Sequence, residues 1–344
     1  MVSTINFDVS KSNNKSHIEN KFYNSIVHNQ DEFLNNSGFL LEDVKREYQE
    51  FSLNDVKDDK KFESLSNKEK YFYLDGQYAR NNINQNKSLN EINQVARTIQ
   101  NAQSNNHYPT DSLSDLFNEV KQSIVAGKND YLDVLKNSFS RYMDFVKELR
   151  EILSELSQTS KAGSKDGYIN ISVGKISSDL YPLMNKSNLK HSFEMRFFKE
   201  NDGRFYRMIN GEKIYYKNEA EVNDTVSAVR TLLSQIKGLS LVKENKVPFV
   251  NNTLFSFAMS IDTSGVKKLI DYLESMPYNA HDILQTEFDL IKKTFDTLEK
   301  GVNANLDELS KKYSSANSNY DNFVKVVSST MNTLLEMAKG FLRF

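Results

Sequence analysis

The sequence predicts a mainly α-helical fold, in which a long antiparallel intramolecular coiled coil carries an inserted small mixed α/β domain and an N-terminal helical hairpin. Two segments with a seven-residue apolar repeat predict the coiled coil, and about 120 residues separate them. The intervening segment holds seven of the twelve glycines, and its apolar residues alternate as in strands. An apolar fraction of only 38% in 344 residues predicts a thin, extended core.

The composition excludes several classes of function. A net charge of −2 without a long basic run gives no reason to expect nucleic acid as a partner. The absence of cysteine excludes disulfides, thiol catalysis and thiolate metal sites. We find no secretory signal and no apolar window of about 18 residues, so we expect neither a cleaved signal nor a direct membrane span. If the protein leaves the cell, we expect a different export route.

Two predicted segments precede the first heptad repeat. Residues 1–36 are rich in Asn, Ser and Lys and are expected to be disordered, because they cannot bury enough apolar surface to fold. Residues 37–105 are expected to form a helical hairpin that packs on the rest of the protein, and an independent helical domain is the alternative. The predicted helices are Leu40–Phe51, Asn67–Arg80 and Leu89–Ile99, with polar stretches such as Asn81–Lys87 between them.

Residues 111–158 are predicted to form the first coiled-coil region. Gly127 is expected to end a short first helix, and Asn129 is expected to cap a longer second one. The inward apolar stripe of the second helix, its seam, contains no polar residue. Its members are Leu132, Leu135, Phe139, Tyr142, Val146, Leu149, Leu153 and Leu156.

Residues 160–276 are predicted to form the inserted α/β domain. The dipeptide Asn210–Gly211 is a strong signal for a tight hairpin turn, and Asn218 with Glu221 predicts the start of a helix. The predicted strands are Tyr168–Val173, Phe193–Lys199, Arg204–Ile209, Glu212–Lys217 and Leu254–Ile261. The predicted helices lie along Ile176–Met184, Val222–Ile236 and Val266–Leu273.

Residues 279–344 are predicted to form the second coiled-coil helix, about 90 Å long. Its eighteen seam positions run from Leu284 to Phe344 and include two polar residues, Asn305 and Thr330. The seam also contains Leu309, Tyr313, Tyr320, Phe323 and Val327. Antiparallel pairing within one chain is favoured over separate parallel homodimers, in which the insert would be difficult to thread. Because this helix is about twice as long as its partner, we expect the helices within 38–103 to cover the remaining seam.

No motif predicts catalysis, a cofactor or a metal site. The histidines lie far apart in sequence, and none has a second ligand at metal spacing: His17, His28, His107, His191 and His281. Phosphate-binding glycine loops and nucleophile elbows are absent from the sequence. An enzyme built on the α/β insert, such as a hydrolase, is therefore the least favoured hypothesis.

The segment Tyr313–Thr330 has the sequence YSSANSNYDNFVKVVSST and closely resembles the C-terminal signature of type III secretion needle-tip proteins. This is the invasin family that includes IpaD, SipD and BipD. Asp130–Leu153 is similar to the family's first coiled-coil helix, and Phe257–Leu273 looks like its strand and helix before the final coil. The resemblance covers residues 111–344 and is weakest at 193–217, where this chain is unusually aromatic and basic.

The resemblance implies a function as well as a fold. Members of this family cap the needle, hold secretion in check, sense host signals such as bile salts and recruit hydrophobic translocators for host-cell invasion. The implied partners are the needle subunit, a translocator and further copies of the chain in a ring, usually thought a pentamer. A bile-salt-type molecule is the one small ligand implied, and the N-terminal hairpin is implied to act as a self-chaperone. The implied location is the bacterial surface at the needle tip, after a cytoplasmic stage before export. A generic secreted coiled-coil scaffold or chaperone is the alternative.

The outer face of the last helix is the predicted contact with the needle. Because Tyr320, Phe323 and Val327 occupy the seam, a polar face is left on the outside of the helix. Its members are Asp321, Asn322, Lys325, Ser328 and Ser329. We predict that this face docks on the needle or on a neighbouring subunit, and an ordinary solvated helix face is the alternative.

Overall fold

The computed structural model describes residues 30–51, 60–103, 111–186, 190–249 and 252–342. The chain divides into two compact units. The central unit comprises residues 50–82 and 124–322, and the terminal unit comprises residues 1–49, 83–123 and 323–344.

Helices account for most of the described residues, and the strands are confined to the insert. The helices are α1 (Gln30–Phe51), α2 (Lys60–Glu63), α3 (Asn67–Gln103), α4 (Asp111–Gly127), α5 (Asp133–Thr159), α6 (Val173–Asn185), α7 (Glu219–Ser234), α8 (Ser264–Glu274) and α9 (Gln285–Leu342). The strands are β1 (Lys161–Ala162), β2 (Tyr168–Ile171), β3 (Lys190–Lys199), β4 (Phe205–Ile209), β5 (Glu212–Tyr216), β6 (Leu239–Phe249), β7 (Asn252–Ile261) and β8 (His281–Leu284). They form two antiparallel sheets, ordered β1-β2-β8 and β5-β4-β3-β7-β6.

The two long N-terminal helices extend further than the sequence predicts. Helix α1 begins at Gln30, so residues 30–36 are helical rather than disordered, and the rest of the predicted disordered segment lies outside the described residues. Helix α3 runs without interruption, so the predicted break at 81–87 is wrong. Asn81 and Ser88 are buried there and form hydrogen bonds with residues of α9, which is why polar residues do not end the helix.

The helix does not end at Gly127, whose backbone angles are helical (φ −57°, ψ −38°). A single π-helical turn, Lys128–Leu132, leads directly into α5, so the predicted helix start at Asn129 is also wrong. Such a turn shifts the register of the side chains around the helix axis. It places Lys128 and Asp130 in buried positions, where both find partners of opposite charge.

In the central unit, α5 and α9 run antiparallel, which confirms the predicted pairing. Arg150 in the second half of α5 donates a 2.8 Å hydrogen bond to Glu299, near the start of α9. Phe139, earlier in α5, lies against Tyr313, later in α9, with ring centroids 5.9 Å apart. The order of contacts along one helix is therefore reversed along the other.

Helix α3 runs parallel to α9 in the same unit. The ammonium group of Lys70 lies 2.8 Å from Asp307, and the amide of Asn81 donates to the side-chain oxygen of Asn317 at 2.9 Å. Helix α9 is thus packed against two other helices rather than one. The predicted two-helix coil is extended by a third helix along this part of the chain.

The buried stripe of α9 follows the natural period of a straight helix. Asn305, Thr330 and Met337 are only half-buried, whereas the residues that follow them, Leu306, Met331 and Ala338, are buried. From Val302 to Ala338, successive buried residues of this stripe lie 3.6 positions apart on average, since ten intervals span 36 residues. The residues between them are Leu306, Leu309, Tyr313, Asn317, Tyr320, Val324, Val327, Met331 and Leu334. A strict seven-residue repeat drifts around such a helix by about 20° per heptad, so the predicted seam is displaced by one residue at these positions.

The insert contains the predicted three-strand meander, in which β3, β4 and β5 pair in sequence. Asn210 and Gly211 both have positive φ in the tight turn between β4 and β5, as the sequence predicts. Strand β6 was not predicted. Residues 239–248 of this edge strand are all exposed or half-buried, so its sequence lacks the apolar alternation that reveals a strand.

The insert ends later than predicted. Strand β8 pairs with β2, so the α/β domain extends to Leu284 rather than to residue 276. Helix α9 begins at Gln285, and Leu284 is 45% exposed instead of occupying the first seam position. The backbone N–H of Leu284 donates to the carboxylate of Glu287 at 3.0 Å, which satisfies a donor at the start of the helix.

Candidate interaction surface on the C-terminal helix

Nine of the seam residues predicted from the sequence are buried on the two coil helices. This applies to Leu135, Phe139, Tyr142, Leu149, Leu309, Tyr313, Tyr320, Phe323 and Val327. In the central unit, the Tyr320 hydroxyl donates to the backbone carbonyl of Ile124 at 3.0 Å. In the terminal unit, the ring of Phe323 lies 5.5 Å from that of Tyr48 in α1. The large aromatic side chains of the signature segment therefore point into the helical core.

A buried polar contact lies within the aromatic core at Asn317. The side chain of Asn81 donates to both the backbone carbonyl and the side-chain oxygen of Asn317, at 3.0 and 2.9 Å. The amide of Asn317 donates in turn to the carbonyl of Tyr313 at 3.1 Å, and burial raises the pKa of the Tyr313 hydroxyl. Sequence reasoning missed this contact because Asn317 lies one position beside the heptad seam.

Ser328 does not lie on the outer face. Its hydroxyl is 2.7 Å from the hydroxyl of Ser88, which is fully buried in α3. The prediction placed Ser328 outside because the N-terminal helices were expected to cover only the seam, whereas α3 also covers a further side of α9. The two serines form a direct polar contact between α3 and α9 in the terminal unit.

The remaining residues of the predicted contact face are accessible to different degrees. Asn322, Lys325 and Ser329 are exposed, and Asp321 is half-buried. They provide a cationic group, an amide, a hydroxyl and a carboxylate over nine residues of one helix. Such a face can exchange hydrogen bonds with a partner protein, while the apolar side of the same helix is used internally.

The π-helical turn directs charged side chains to two neighbouring elements. Lys128 lies 2.9 Å from the Tyr78 hydroxyl and 3.1 Å from Asp133, and Tyr78 donates to Asp133 at 2.6 Å. Burial opposes the charge on Lys128, but Tyr78 and Asp133 together raise the pKa of its ammonium group. Burial, reinforced by the hydrogen bond to Asp133, raises the pKa of Tyr78. This group links α3 to the turn.

A buried ion pair joins the same turn to the insert. Arg207 of β4 donates to both carboxylate oxygens of Asp130, at 2.8 and 2.6 Å, and both side chains are almost fully buried. The guanidinium group also lies 5.6 Å from the centre of the Phe197 ring. Both contacts come from one nitrogen, Nη2, and this charge-assisted pairing joins the meander to the turn. Sequence reasoning missed both residues, since nothing in the local pattern connects positions 130 and 207.

Potential metal ligands are scattered among the described residues. Across them, no cluster of three or more potential metal ligands is present. Asp282 accepts hydrogen bonds from Ser164 and Asn170, which lower its pKa to about 2, and this carboxylate joins strands of the small sheet. The ring Nδ1 of His281 lies 2.9 Å from the carbonyl of Asn279. In the same described ranges, no helix has the length and apolar character needed to cross a membrane.

Comparison with known proteins gives a consistent assignment. A model of the family described as type III secretion systems tip complex components matches residues 14–342. The cell invasion protein SipD of Salmonella typhi is 26% identical over 238 residues, which are 68% of this chain and 63% of SipD. The invasin IpaD of Shigella flexneri is 24% identical over 237 residues, 68% of this chain and 61% of IpaD. These matches span less than two thirds of each relative.

A solved structure of BipD from Burkholderia pseudomallei is also similar to this chain. It aligns over 89% of this chain and 98% of BipD, with a TM-score of 0.49 and 15% sequence identity.

Proposed function

The chain belongs to the family of type III secretion systems tip complex components, and from this premise we propose that it caps the secretion needle and controls the passage of effector proteins. The family match over residues 14–342 carries the proposal. The proposed partners are the needle subunit, a hydrophobic translocator and further copies of the chain, arranged as a pentameric ring. The proposed location is the needle tip on the bacterial surface, reached by export through the same system.

We place the contact with the needle or with a neighbouring copy on the exposed residues of α9. The support is the division of this helix between a buried apolar side and an accessible polar side that includes Asn322, Lys325 and Ser329. Amide and ammonium groups at such positions can form directional hydrogen bonds with a partner. Ser328 is not part of the proposed surface, because it pairs with Ser88.

The test is the double substitution Asn322→Ala with Lys325→Ala. Both side chains are exposed, so the change should leave the helical content and the thermal midpoint of the purified protein unaltered. In secreting bacteria, we expect the needles to lose the protein from their tips. Antibody labelling of isolated needles measures this, and circular dichroism measures the fold.

The matched control is Lys293→Ala with Thr297→Ala. These residues are again a lysine and an uncharged polar residue about one turn apart, and both are exposed on the same helix, several turns before the proposed surface. We expect normal labelling of needle tips with this variant. If needles carrying the Asn322 and Lys325 variant are labelled like those of the unmodified protein, the proposed docking surface is wrong, although the family assignment is unaffected.

We further propose that a bile-salt-type molecule is the host signal, on the ground of family membership alone. Binding to the folded chain should raise its stability by about 2.7 kcal/mol at a ligand concentration of 100 Kd. Thermal unfolding of the full chain with deoxycholate below its micellar concentration measures this, and taurine, which lacks the steroid, is the control. An unchanged midpoint with deoxycholate would remove the ligand from the proposal.

A further inference from the structure

The central strands of the five-stranded sheet separate from one another over part of their length. On one edge, β3 pairs with β7 from Lys190 to Phe198, but on the other edge only 197–199 pair with β4. After Arg207, β4 continues in register with β5 alone. In this register Ile209, the last residue of β4, would face Met195, so residues 190–194 of β3 extend past the end of β4. Within the described sheet no other strand pairs with this edge, and we call the space beside residues 190–196 the gap.

The hairpin register decides which backbone groups face this gap. The N–H of Glu200 donates to the carbonyl of Arg204 at 2.9 Å, so the even-numbered residues of β3 direct their backbone groups towards β4. The odd-numbered residues of β3 therefore bond to the odd-numbered residues of β7. The pairing of β7 with β6 agrees with this, because the Phe249–Asn252 pair directs the backbone groups of Asn252 towards β6 and away from β3. Ser192 and Glu194 thus each point one N–H and one C=O into the gap.

The gap is a cleft with side-chain subsites on both walls. Its volume is about 410 Å³, which lies within the range of roughly 300–1,000 Å³ found for ligand sites. The β3 wall carries Glu194 and Arg196, and the β4 wall carries Met208, which is 47% exposed, and Ile209. Asn129 of the π-helical turn also lines the cleft.

We propose that this cleft is a strand-addition site, in which an extended peptide of a partner protein pairs with the free edge of β3. Backbone groups in the gap would bond to the main chain of the peptide, and the alternating subsites would select its side chains. Outward positions of the peptide would carry a cation opposite Glu194 and an anion opposite Arg196, because cross-strand pairs of opposite charge are favourable. Inward positions would carry apolar residues beside Ile209.

An extended peptide fits these features better than the other possible occupants do. A small anion attracted by Arg196 would meet Glu194 on the same wall of the cleft. A second copy of the chain offers its edge strands only as part of an intact sheet, and a cleft of about 410 Å³ has room for one peptide strand but not for a sheet. A single strand fills the gap and satisfies its backbone groups. The proposal does not depend on the needle-tip role.

The test uses the full chain and two blocked, fluorescein-labelled peptides, Thr-Val-Lys-Val-Glu-Val-Thr and Thr-Val-Glu-Val-Lys-Val-Thr. The first peptide places Lys opposite Glu194 and Glu opposite Arg196 when it runs parallel to β3, and the second does so when it runs antiparallel. We expect saturable binding of at least one peptide by fluorescence anisotropy. Hydrogen exchange should slow at the amides of Ser192 and Glu194 when that peptide is bound, and it should not change at Phe193 and Met195, which already bond to β7.

Two controls separate main-chain pairing from side-chain binding. The first control is the same peptide with methyl groups on alternate amide nitrogens, which removes hydrogen-bond donors but keeps every side chain. Two versions are prepared, one methylated at the odd-numbered and one at the even-numbered residues of the peptide. We expect at least one version to bind roughly tenfold more weakly for each important hydrogen bond lost. The second is Ser192→Pro, which deletes an N–H in the gap, compared with Ser192→Ala, which keeps it. Only the proline variant should bind more weakly.

Several results would overturn the proposal. One is the absence of binding by both peptides at millimolar concentration, and another is equal affinity for the methylated and unmodified peptides, which would indicate a side-chain groove. A third is binding without protection of the Ser192 and Glu194 amides. If the proline variant has a lowered thermal midpoint, the methylated peptides on the unmodified protein decide the question alone.

Discussion

Tyr216 is a buried residue whose hydroxyl has no hydrogen-bond partner among the described residues. Burial raises its pKa from 10.0 to about 12, because an ionised phenol would be poorly solvated there. Between these two pH values, the unfolded chain has lost the phenolic proton while the folded chain keeps it. Stability therefore falls as the pH rises through this window and is unaffected by this group below it.

The substitution Tyr216→Phe should remove this alkaline loss. Up to about 3 kcal/mol of the decrease in unfolding free energy between pH 10 and 12 is expected to disappear, since one pKa unit corresponds to about 1.4 kcal/mol. Near pH 7, the change should be neutral or slightly stabilising, because an unsatisfied buried hydroxyl is lost. Urea unfolding at pH 7 and pH 11 measures both effects. If the unfolding free energy falls by the same amount between pH 7 and pH 11 in both proteins, the buried position of the Tyr216 ring is contradicted.

Leu149 of α5 and Leu309 of α9 test the packing of the helical core, since each side chain is only 1% exposed. The substitution Leu149→Asp or Leu309→Asp should remove about 1.5–3 kcal/mol of apolar burial and add a buried charge, so we expect the central unit to unfold. Thermal unfolding followed by circular dichroism is the measurement. The control Thr297→Asp places the same charge on an exposed position of α9 and should leave the midpoint nearly unchanged, because threonine and aspartate have similar helix propensities.

The ion pair between Asp130 and Arg207 gives a prediction with a built-in rescue. The substitution Asp130→Asn leaves a buried guanidinium group without its counter-charge and should cost about 3–5 kcal/mol. The double change Asp130→Leu with Arg207→Met replaces the pair by apolar groups of similar size and should recover most of this loss. Denaturant unfolding of the three variants measures the coupling. If the single and double variants are equally unstable, the pair is not the main contact at this position.

At the scale of elements, Gly238 is a position where the backbone of the insert lies close to the coil helices. Its φ of +75° favours glycine, and a Cβ there would lie 2.6 Å from the Tyr142 hydroxyl and 2.9 Å from the amide nitrogen of Asn305. Gly211 has a similar φ of +85°, but a Cβ there would meet nothing within 4 Å. The two glycines thus separate backbone strain from steric overlap.

The substitution Gly211→Ala should cost about 1–2 kcal/mol from backbone conformation alone. The substitution Gly238→Ala should cost clearly more, because Tyr142 and Asn305 must also move. Differential scanning calorimetry of both variants provides the comparison. Equal losses of stability in the two variants would mean that the structure moves away from the added methyl group at position 238 at no cost in free energy.

Sequence patterns predicted the elements that depend on local or periodic signals. The meander followed from Asn210–Gly211, and the antiparallel pairing followed from two heptad segments in one chain. Strand β6 was missed because an exposed edge strand has no apolar alternation, and the continuity of α3 was missed because Asn81 looks like a break until Asn317 is placed beside it. Contacts that join distant polar residues leave no mark on either local sequence.

The candidate surface on α9 could likewise be predicted only in part from the sequence. The heptad pattern placed Asn322, Lys325 and Ser329 at exposed positions. It could not place Ser328, because the seam does not show that α3 also covers a further side of α9. The cleft beside β3 was beyond prediction. It arises from the point at which two strands diverge, and this depends on the tertiary twist of the sheet rather than on its sequence alone.

At the scale of the whole molecule, α1 and α3 cover apolar residues of α9 that would otherwise face water. Within the terminal unit, Phe323 packs on Tyr48 of α1, and Ser328 meets Ser88 of α3. An exposed surface of this kind promotes association between copies. We propose that the N-terminal helices act as a self-chaperone, which keeps the chain monomeric before assembly.

Deletion of residues 1–104 should leave α5 and α9 paired but cause oligomers to form at micromolar concentration. Sedimentation velocity measures the association, and binding of a hydrophobic dye measures the newly exposed surface. The matched control is deletion of residues 1–29, which removes none of the described helices and should stay monomeric. A strictly monomeric 105–344 fragment without increased dye binding would show that the N-terminal helices form an independent domain.

The polar contacts between α3 and α9 join residues that are 236 to 240 positions apart in a chain of 344. Contacts of such high sequence separation form slowly, because a very long loop must close before they can contribute. During synthesis, which proceeds from the N-terminus, α3 leaves the ribosome long before α9 exists. The strands of the insert pair over separations of at most 116 residues, as between Tyr168 and Leu284. The insert should therefore fold first, and α3 waits for its partner until translation is nearly complete.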